Sequence, residues 1–428
     1  MTRTHRIGLA LVLLVMGGLA AFWPVDSPQP WREEVPWESF EALAEQSHPA
    51  TVEDVVKWLP RVDPHRQLDG LVRVDGEILV VRQSRAPESA EVRLPLARTK
   101  KVLVPAGNAL EGLRVVLDPG HYGGVWAEAE NRYYEVEGRV PIREGNLTYA
   151  TALELGRALH LAGATVWFTR GAPPREPIRY VDQPDFDLQH EASLWLTYHH
   201  EPLTRLWKSL YPARIADAML TRLKAKKIER SGPHLFTLSD LRRRSALANR
   251  CRADVTISIH DNASGNPSVN HLMVFMPGNF MPGELDSEAS RYYAVRQLID
   301  GALPSTLVLG RRIAREMSAR MKLPVRPEKK KLNRLAMAQA PGVYARNLSI
   351  LKRTRGPVLL VEGPFMTHPD EYQQLMAEPD SSKRAPRVRQ LSASIEAALK
   401  ASAQELKQLR TSAGGSDSTD CGRWTPQW

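Results

Sequence analysis

Cysteine is nearly absent from this chain, and long apolar runs and internal repeats are equally scarce. The 428 residues contain 2 cysteines, Cys251 and Cys421, which lie far apart in the sequence. A cysteine-rich disulfide scaffold is therefore excluded, and the size of the hydrophobic core must stabilise the fold instead. No cysteine lies near the N-terminus, which argues against a lipid anchor attached through cysteine.

The one long apolar run lies at the N-terminus, over residues 7–23. Arg3, His5 and Arg6 precede it, and Pro24 and a polar segment follow, which is the layout of an export signal. We predict that residues 1–23 are a signal peptide or a membrane anchor and that the protein is exported, to the periplasm or elsewhere in the cell envelope. The net charge of +10 favours anionic partners. Outside the cytoplasm these are cell-wall polymers and lipid headgroups, and predicted export argues against nucleic acid as a partner.

Residues 24–110 read as a separate N-terminal accessory region. Residues 52–59 have helical spacing, and residues 71–81 form two apolar runs around Asp75-Gly76, which is typical of a β-hairpin. A further strand is predicted over residues 91–96. These patterns indicate a small α+β region.

From residue 111 onward, strand and helix patterns alternate, which predicts an α/β fold with a mostly parallel or mixed sheet flanked by helices. Strands are predicted over 113–117, 165–169, 255–259, 272–276 and 358–361. Helices are predicted over 146–162, 239–251, 307–321 and 386–409. The predicted catalytic domain spans 111–402 with helical insertions at about 172–236 and 277–304, and residues 403–428 form a C-terminal end with a disordered tail.

Near the ends of three of these strands lies a side chain that can bind a metal or accept a proton. His121 closes the segment Leu117-Asp118-Pro119-Gly120-His121, His260 follows residues 255–259, and Glu362 follows residues 358–361. The carboxyl ends of parallel strands share one crevice, where ligands bind. The pattern predicts a metallohydrolase with two histidine ligands and an acidic third ligand. On spacing alone the candidates for that third ligand are Glu128, Glu130, Glu135, Glu137 and Glu144.

Five segments in order resemble the zinc-dependent N-acetylmuramoyl-L-alanine amidases of the type 3 family. They are Leu117 to Gly124, Arg143-Glu144-Gly145-Asn146-Leu147, Arg244 to Asn249, Ala253 to Ala263 and Val361-Glu362-Gly363-Pro364-Phe365. The resemblance implies that His121, Glu144 and His260 bind Zn²⁺ and that Glu362 is catalytic. Glu137 remains the next candidate for the carboxylate ligand.

The resemblance also implies a substrate and a mode of control. The expected reaction is hydrolysis of the amide between N-acetylmuramic acid and L-alanine in peptidoglycan, for wall remodelling or cell separation. An acidic side chain of the second insertion, Glu284, Asp286 or Glu288, would plug the zinc site until an activator protein withdraws it. Two alternatives stay open: a zinc peptidase or carboxypeptidase acting on wall peptides, and a non-catalytic wall-binding module.

Overall fold

The computed structural model describes residues 35–98, 110–121, 127, 132–135, 141–170, 232–327, 336–376 and 385–412. All of them belong to one compact unit, Val35–Trp428. The predicted signal or anchor segment, most of the first insertion and the tail after residue 412 lie outside the described residues. Among the helices in these ranges, none combines the length and the apolar character that crossing a bilayer requires.

The described elements alternate between strand and helix over the second half of the chain. The helices are α1 Glu38–Ala44, α2 Val52–Val62, α3 Glu144–Leu161, α4 Gly232–Arg250, α5 Glu288–Ile299, α6 Leu303–Met321, α7 Ser349–Arg353, α8 Tyr372–Leu375 and α9 Pro386–Ser412. The strands are β1 Val72–Asp75, β2 Ile78–Arg82, β3 Glu91–Pro95, β4 Arg114–Pro119, β5 Tyr133–Tyr134, β6 Ile142–Arg143, β7 Thr165–Phe168, β8 Val255–Asn262, β9 Met273–Met276, β10 Met337–Ala340, β11 Val343–Ala345 and β12 Val358–Phe365.

A seven-stranded sheet in the order β10-β11-β9-β12-β8-β4-β7 forms the centre of the molecule. The strands β12, β8, β4 and β7 are parallel neighbours, whereas β9 pairs antiparallel with β12. The predicted α/β class with a mostly parallel or mixed sheet is therefore confirmed. Because the four parallel strands end at one edge, that edge brings distant parts of the sequence together.

Helices cover both faces of this sheet because its strands are apolar on both sides. Val115 and Leu117 belong to the main core, together with Leu153 of α3, while the intervening Val116 packs with Ala248 of α4 on the opposite face. Strands buried on both faces read as continuous apolar runs, which is how they appear in the sequence.

The helix α3 approaches the sheet closely, and a glycine makes this approach possible. A Cβ atom added to Gly156 would lie 2.6 Å from Cζ of Phe168 in β7 and 3.4 Å from Cδ1 of Leu117 in β4. These distances leave no room for a side chain at this point of the helix. The close approach fixes the position of α3, whose first residue is Glu144.

The N-terminal region contains a three-stranded antiparallel sheet, β1-β2-β3, and the predicted hairpin is confirmed with Gly76 in its turn at φ 60°. The helix α2 is capped by Thr51, whose side chain accepts a hydrogen bond from Asp54 N–H in a capping box. Its residues Trp58 and Val62 belong to the main core of the sheet. The domain boundary at residue 110 stays a prediction.

Cys251 lies directly after α4 and is buried against Val116 and Trp167. It is disulfide-bonded. Cys421, the second of the 2 cysteines in the sequence, lies outside the described residues.

Candidate metal centre

The three predicted metal ligands lie together at the carboxyl edge of the parallel strands. His121 follows β4 and has a positive φ of 54°, Glu144 is the first residue of α3, and His260 lies within β8. One donor atom from each residue lies within 4.8 Å of the other two. The fold therefore brings together residues that are up to 139 positions apart in the sequence (260 − 121).

A single carboxylate oxygen is the centre of this group. Oε1 of Glu144 lies 3.1 Å from Nδ1 of His260 and 3.6 Å from Nε2 of His121. It also accepts a hydrogen bond from the backbone N–H of Asp261 at 3.3 Å. The two imidazole rings are nearly perpendicular, with centroids 4.9 Å apart. Two imidazole nitrogens and one carboxylate oxygen therefore face one small volume.

Gly120 and Thr148 hold the two sides of the group in place. Thr148, one turn after Glu144 in α3, donates a hydrogen bond from Oγ1 to the carbonyl of Gly120 at 2.6 Å. Gly120 N–H donates to the carbonyl of Ile259, the residue before His260. These bonds join the start of α3, the end of β4 and the middle of β8, and so they fix the relative positions of the three ligands.

We expect Gly120→Ala to weaken metal binding by at least about 10-fold, as changes in groups that orient metal ligands do. A Cβ atom at this position would lie 2.3 Å from Cε1 and 2.5 Å from Nε2 of His260, so the ring must shift from its position next to Glu144. Zinc titration with a competing chelator measures the change. Gly265→Ala is the matched control because no atom lies within 4 Å of its added Cβ. Equal affinities for the two variants would contradict this role of Gly120.

Glu362 lies beside this group on the neighbouring strand. In the parallel ladder between β12 and β8 it is the register partner of His260. Neighbouring strands lie about 4.8 Å apart, and register partners project from the same face of the sheet. The proposed catalytic carboxyl and a proposed metal ligand are thus adjacent.

The protein environment favours the neutral form of His260 and raises the pKa of Glu362. Burial, the largest influence, lowers the pKa of His260 to about 3, which leaves the imidazole uncharged at neutral pH and able to ligate a metal. Burial, followed by the charges of Glu144 and Asp261, raises the pKa of Glu362 well above its ordinary value. A carboxyl group with a raised pKa can exchange a proton near neutral pH, as general acid–base catalysis requires.

A buried charge network lies beneath the metal group. Asp118 is fully buried in β4 and accepts hydrogen bonds from Arg244 at 2.7 and 2.8 Å, from Ser258 at 2.6 Å and from Thr169. Arg244 also bonds to Asp240 one turn earlier in α4 at 3.0 Å. The network joins β4, β7, β8 and α4 directly below the site. The sequence did not predict this network, although an aspartate in an apolar strand is a signal that it needs buried partners.

We expect Asp118→Asn to lower the free energy of unfolding by about 3 kcal/mol, because it breaks a buried ion pair with Arg244. Burial alone would raise the pKa of Asp118, but the charge of Arg244 and the bonds from Ser258 and Thr169 outweigh it and hold the pKa below its usual value. A lowered pKa stabilises the fold above the unfolded value of about 4, and this stabilisation is lost as pH falls through the folded value.

Urea unfolding of wild type and Asp118→Asn at pH 7 and at low pH measures both effects. The difference between the two proteins should narrow as pH falls below about 4. Asp69→Asn, which alters an exposed pair with Arg66, is the control and should change stability by less than about 0.5 kcal/mol. A loss for Asp118→Asn no larger than for the control would show that the network does not stabilise the fold.

Among the other acidic candidates, those that the structure describes are not part of the metal group. Glu128, Glu130 and Glu137 fall outside the described residues, and Glu135 is exposed and is not part of the metal group. In the second insertion, Glu284 accepts hydrogen bonds from Met281 N–H and the Asn347 side chain, both at 2.8 Å. Glu288 accepts one from Gln83 at 3.2 Å. Within the described part of the chain, the metal group contains no acidic side chain of this insertion, so the predicted plug is not formed there.

The donor set fits a catalytic zinc site. Zinc in hydrolases commonly takes three protein ligands from histidine and acidic residues and keeps a fourth position for water. His121, Glu144 and His260 supply that combination, and the side chains of His121 and His260 retain 19% and 13% exposure, which leaves the group accessible from outside. The arrangement can therefore hold a divalent metal next to a protonatable carboxyl group.

The fold and the site define a mixed α/β protein with a candidate divalent-metal centre at the carboxyl edge of its parallel strands. Comparison with protein families identifies it further. The family model described as N-acetylmuramoyl-L-alanine amidase matches residues 115–390, and the chain belongs to this family. The match begins in β4 and ends in α9, and so it contains all four predicted site residues. Family membership supports an amidase that acts on peptidoglycan.

Several solved structures are similar at low sequence identity. The CwlD amidase of Clostridioides difficile, solved in complex with the GerS lipoprotein, is 13% identical at a TM-score of 0.39, and the match covers 67% of this chain and 96% of that one. The amidase Ami1 of Mycobacterium smegmatis is 15% identical at a TM-score of 0.38, with 71% and 99% covered. AmiC2 of Nostoc punctiforme is 16% identical at a TM-score of 0.35, with 68% and 96% covered. No curated protein matches the sequence.

Proposed function

We propose that the protein is a zinc-dependent amidase that hydrolyses the bond between N-acetylmuramic acid and L-alanine in peptidoglycan, for wall remodelling or cell separation. The observation that carries the proposal is the convergence of His121, Glu144 and His260 within 4.8 Å at one edge of the sheet. Glu362, the register partner of His260, supplies the proton-transferring group beside it. Family membership supports the choice of substrate.

In this mechanism His121, Glu144 and His260 would hold the zinc ion, and the neutral imidazole of His260 would have a lone pair available for it. Zinc in such a site polarises a carbonyl group and lowers the pKa of water towards about 7. Glu362 accepts a proton from the attacking water and donates it to the leaving nitrogen. The water oxygen bonds to the lactyl carbonyl carbon as the C–N bond breaks. The products are a muramoyl carboxylate and a stem peptide with a free L-alanine amine.

Digestion of purified muropeptides of defined structure tests the assignment. We expect the products to be the intact disaccharide with a free lactyl carboxyl group and the intact stem peptide, identified by mass spectrometry. Loss of a terminal amino acid from the peptide with the sugar still attached would show a carboxypeptidase instead. Retention of wall material with no product in the presence of zinc would favour the wall-binding alternative.

We also propose that the protein acts in the cell envelope after export. The basic and apolar N-terminal segment supports export, and the disulfide at Cys251 supports an oxidising compartment, since disulfides rarely persist in the cytosol. Fractionation of cells that express the full chain tests both the compartment and any retention at the membrane. Recovery of the protein in the cytosol with a reduced Cys251 would contradict export.

Control by an activator protein is a further part of the proposal. It rests on the sequence resemblance, because Glu284 and Glu288 are hydrogen-bonded away from the metal group in this structure. If an activator is required, the purified full chain should digest wall material slowly until that partner is added. Full digestion by the purified protein alone, at a rate that no envelope extract increases, would remove the activator from the proposal.

A further inference from the structure

A cavity lies at the edge of the sheet opposite the metal centre. It has a volume of about 550 Å³ and is lined by residues that immediately precede or begin the parallel strands, including Arg114, Asp254 and Pro357. The site residues of the same strands lie near their other ends, so His260 stands six residues beyond Asp254. At about 3.3 Å per residue this separates the cavity from the metal centre by roughly 20 Å.

Positive charge dominates the charged lining of this cavity. Four arginines face two aspartates, a surplus of two positive charges (4 − 2); they are Arg114, Arg252, Arg296 and Arg355 against Asp254 and Asp300. The lining arginines come from the start of β4, the end of α4, helix α5 and the loop before β12. Because four separate segments contribute them, the cluster is a product of the fold rather than of one basic stretch.

Arg296 is the most deeply placed member of the cluster. Its side chain is about 5% exposed, its Nη2 donates to the carbonyls of Lys352 and Arg353 at 2.9 and 2.8 Å, and its Nε has no hydrogen-bond partner in the described part of the chain. Asp300 is 3.9 Å from that nitrogen. Burial lowers the pKa of Arg296, the charge of Asp300 raises it, and the charge of Arg355 lowers it. A buried guanidinium with a second one near it is stabilised by an anion.

The rest of the lining combines the polar side chains Gln46, Ser47, His48 and Asn249 with apolar side chains from both ends of the chain. Leu43 and Pro49 belong to the N-terminal region, and Leu406 and Leu409 belong to the last turns of α9. Small-molecule sites typically have volumes of about 300–1,000 Å³, apolar walls and a few converging polar groups. The volume exceeds the needs of a bare inorganic anion and suits an anionic group attached to a small organic body.

We propose that this cavity binds a phosphate ester, with the phosphate among the arginines and the organic part against the leucine and proline side chains. Arginine presents several donors in a planar fork that matches phosphate oxygens. The bound ester would contact the N-terminal region, α5 and α9 at once. The site is separate from the amidase centre and does not depend on the assignment of that centre.

Isothermal titration of the full chain with glycerol 3-phosphate and with inorganic phosphate tests the proposal. We expect glycerol 3-phosphate to bind, and the double variant Arg252→Gln/Arg355→Gln to bind it at least 10-fold more weakly. Both arginines are exposed at the cavity mouth, so the variant should retain its fold. Arg311→Gln, an exposed arginine on α6 away from the cavity, is the control and should bind within twofold of wild type.

A second experiment, with vesicles of phosphatidylglycerol and phosphatidylcholine, tests whether the bound phosphate ester is a lipid headgroup or a soluble molecule. Co-sedimentation that the double variant loses and Arg311→Gln keeps would assign the site to a lipid headgroup, even if the soluble ester binds weakly. The Arg252→Lys/Arg355→Lys variant keeps the charge and should retain part of the binding. If neither probe binds, or if the double variant and Arg311→Gln lose binding equally, the proposal is wrong.

Discussion

Replacing His121 by alanine is expected to remove the bound zinc and to abolish amide hydrolysis. His121 supplies one of two imidazole nitrogens that face Oε1 of Glu144, at 3.6 Å. Changes in groups that only orient metal ligands weaken binding by about 10- to 100-fold, so loss of a ligand should cost more than about 100-fold. Metal analysis of the purified protein should find one zinc per chain in wild type and almost none in the variant after dialysis.

His65→Ala is the matched control for this experiment, since His65 is an exposed histidine in the N-terminal region and is not part of the metal group. It should keep the zinc and the wall-digesting activity of wild type. Chelation of wild type should abolish activity, and added zinc should restore it to wild type but not to His121→Ala at the same concentration. A His121→Ala protein with full zinc content would show that the three residues do not form the metal site.

The local elements of the fold could be predicted from the sequence because their patterns are strong. The apolar run before His121 and the alternation of helix and strand after it predicted the central strands within about two residues at their starts. The structure differs at the carboxyl ends, since β8 continues to Asn262 and β12 to Phe365. His260 and Glu362 therefore lie inside paired strands rather than after them. Hydrophobic periodicity does not reveal that polar residues continue a strand by backbone pairing.

The third metal ligand, Glu144, could not be selected from five candidate glutamates by residue patterns alone. Spacing in the sequence could not select it, and the resemblance to the amidase family did. In the structure the selection has a physical basis: Glu144 is the first residue of α3, and Gly156 lets that helix approach the sheet closely. The first turn of a helix favours a negative charge, and the close approach brings that charge to His260.

Other features depended on contacts between distant segments and could not be predicted. The pairing of Asp118 with Arg244 joins residues 126 positions apart. The cavity with four arginines requires the order of strands in the sheet and the packing of the N-terminal region. Asp118 signals a buried partner by lying in an apolar strand, but the sequence does not say which residue that partner is, and the cavity arginines look like ordinary surface charges. They form a local concentration of charge only when the fold brings them together.

Replacing Glu362 by glutamine is expected to lower the rate of amide hydrolysis by about 10²- to 10⁴-fold, the usual contribution of a positioned general acid–base group. Glutamine has nearly the same shape, so the β12–β8 ladder and its pairing with His260 should persist. The amide cannot take a proton from water and pass it to a leaving nitrogen. Zinc content should stay at one per chain, because Glu362 is not one of the three clustered donors.

The combination of retained zinc and lost activity separates a catalytic role from a structural one. Release of stem peptide from purified wall measures the rate, and Glu53→Gln, an exposed glutamate in the first turn of α2, is the control for loss of one negative charge. If Glu362→Gln binds zinc and releases peptide at the wild-type rate, another group must transfer the proton. If it loses zinc as well, Glu362 is needed for metal binding. The raised pKa of Glu362, which is caused by burial, Glu144 and Asp261, would then be no evidence for proton transfer.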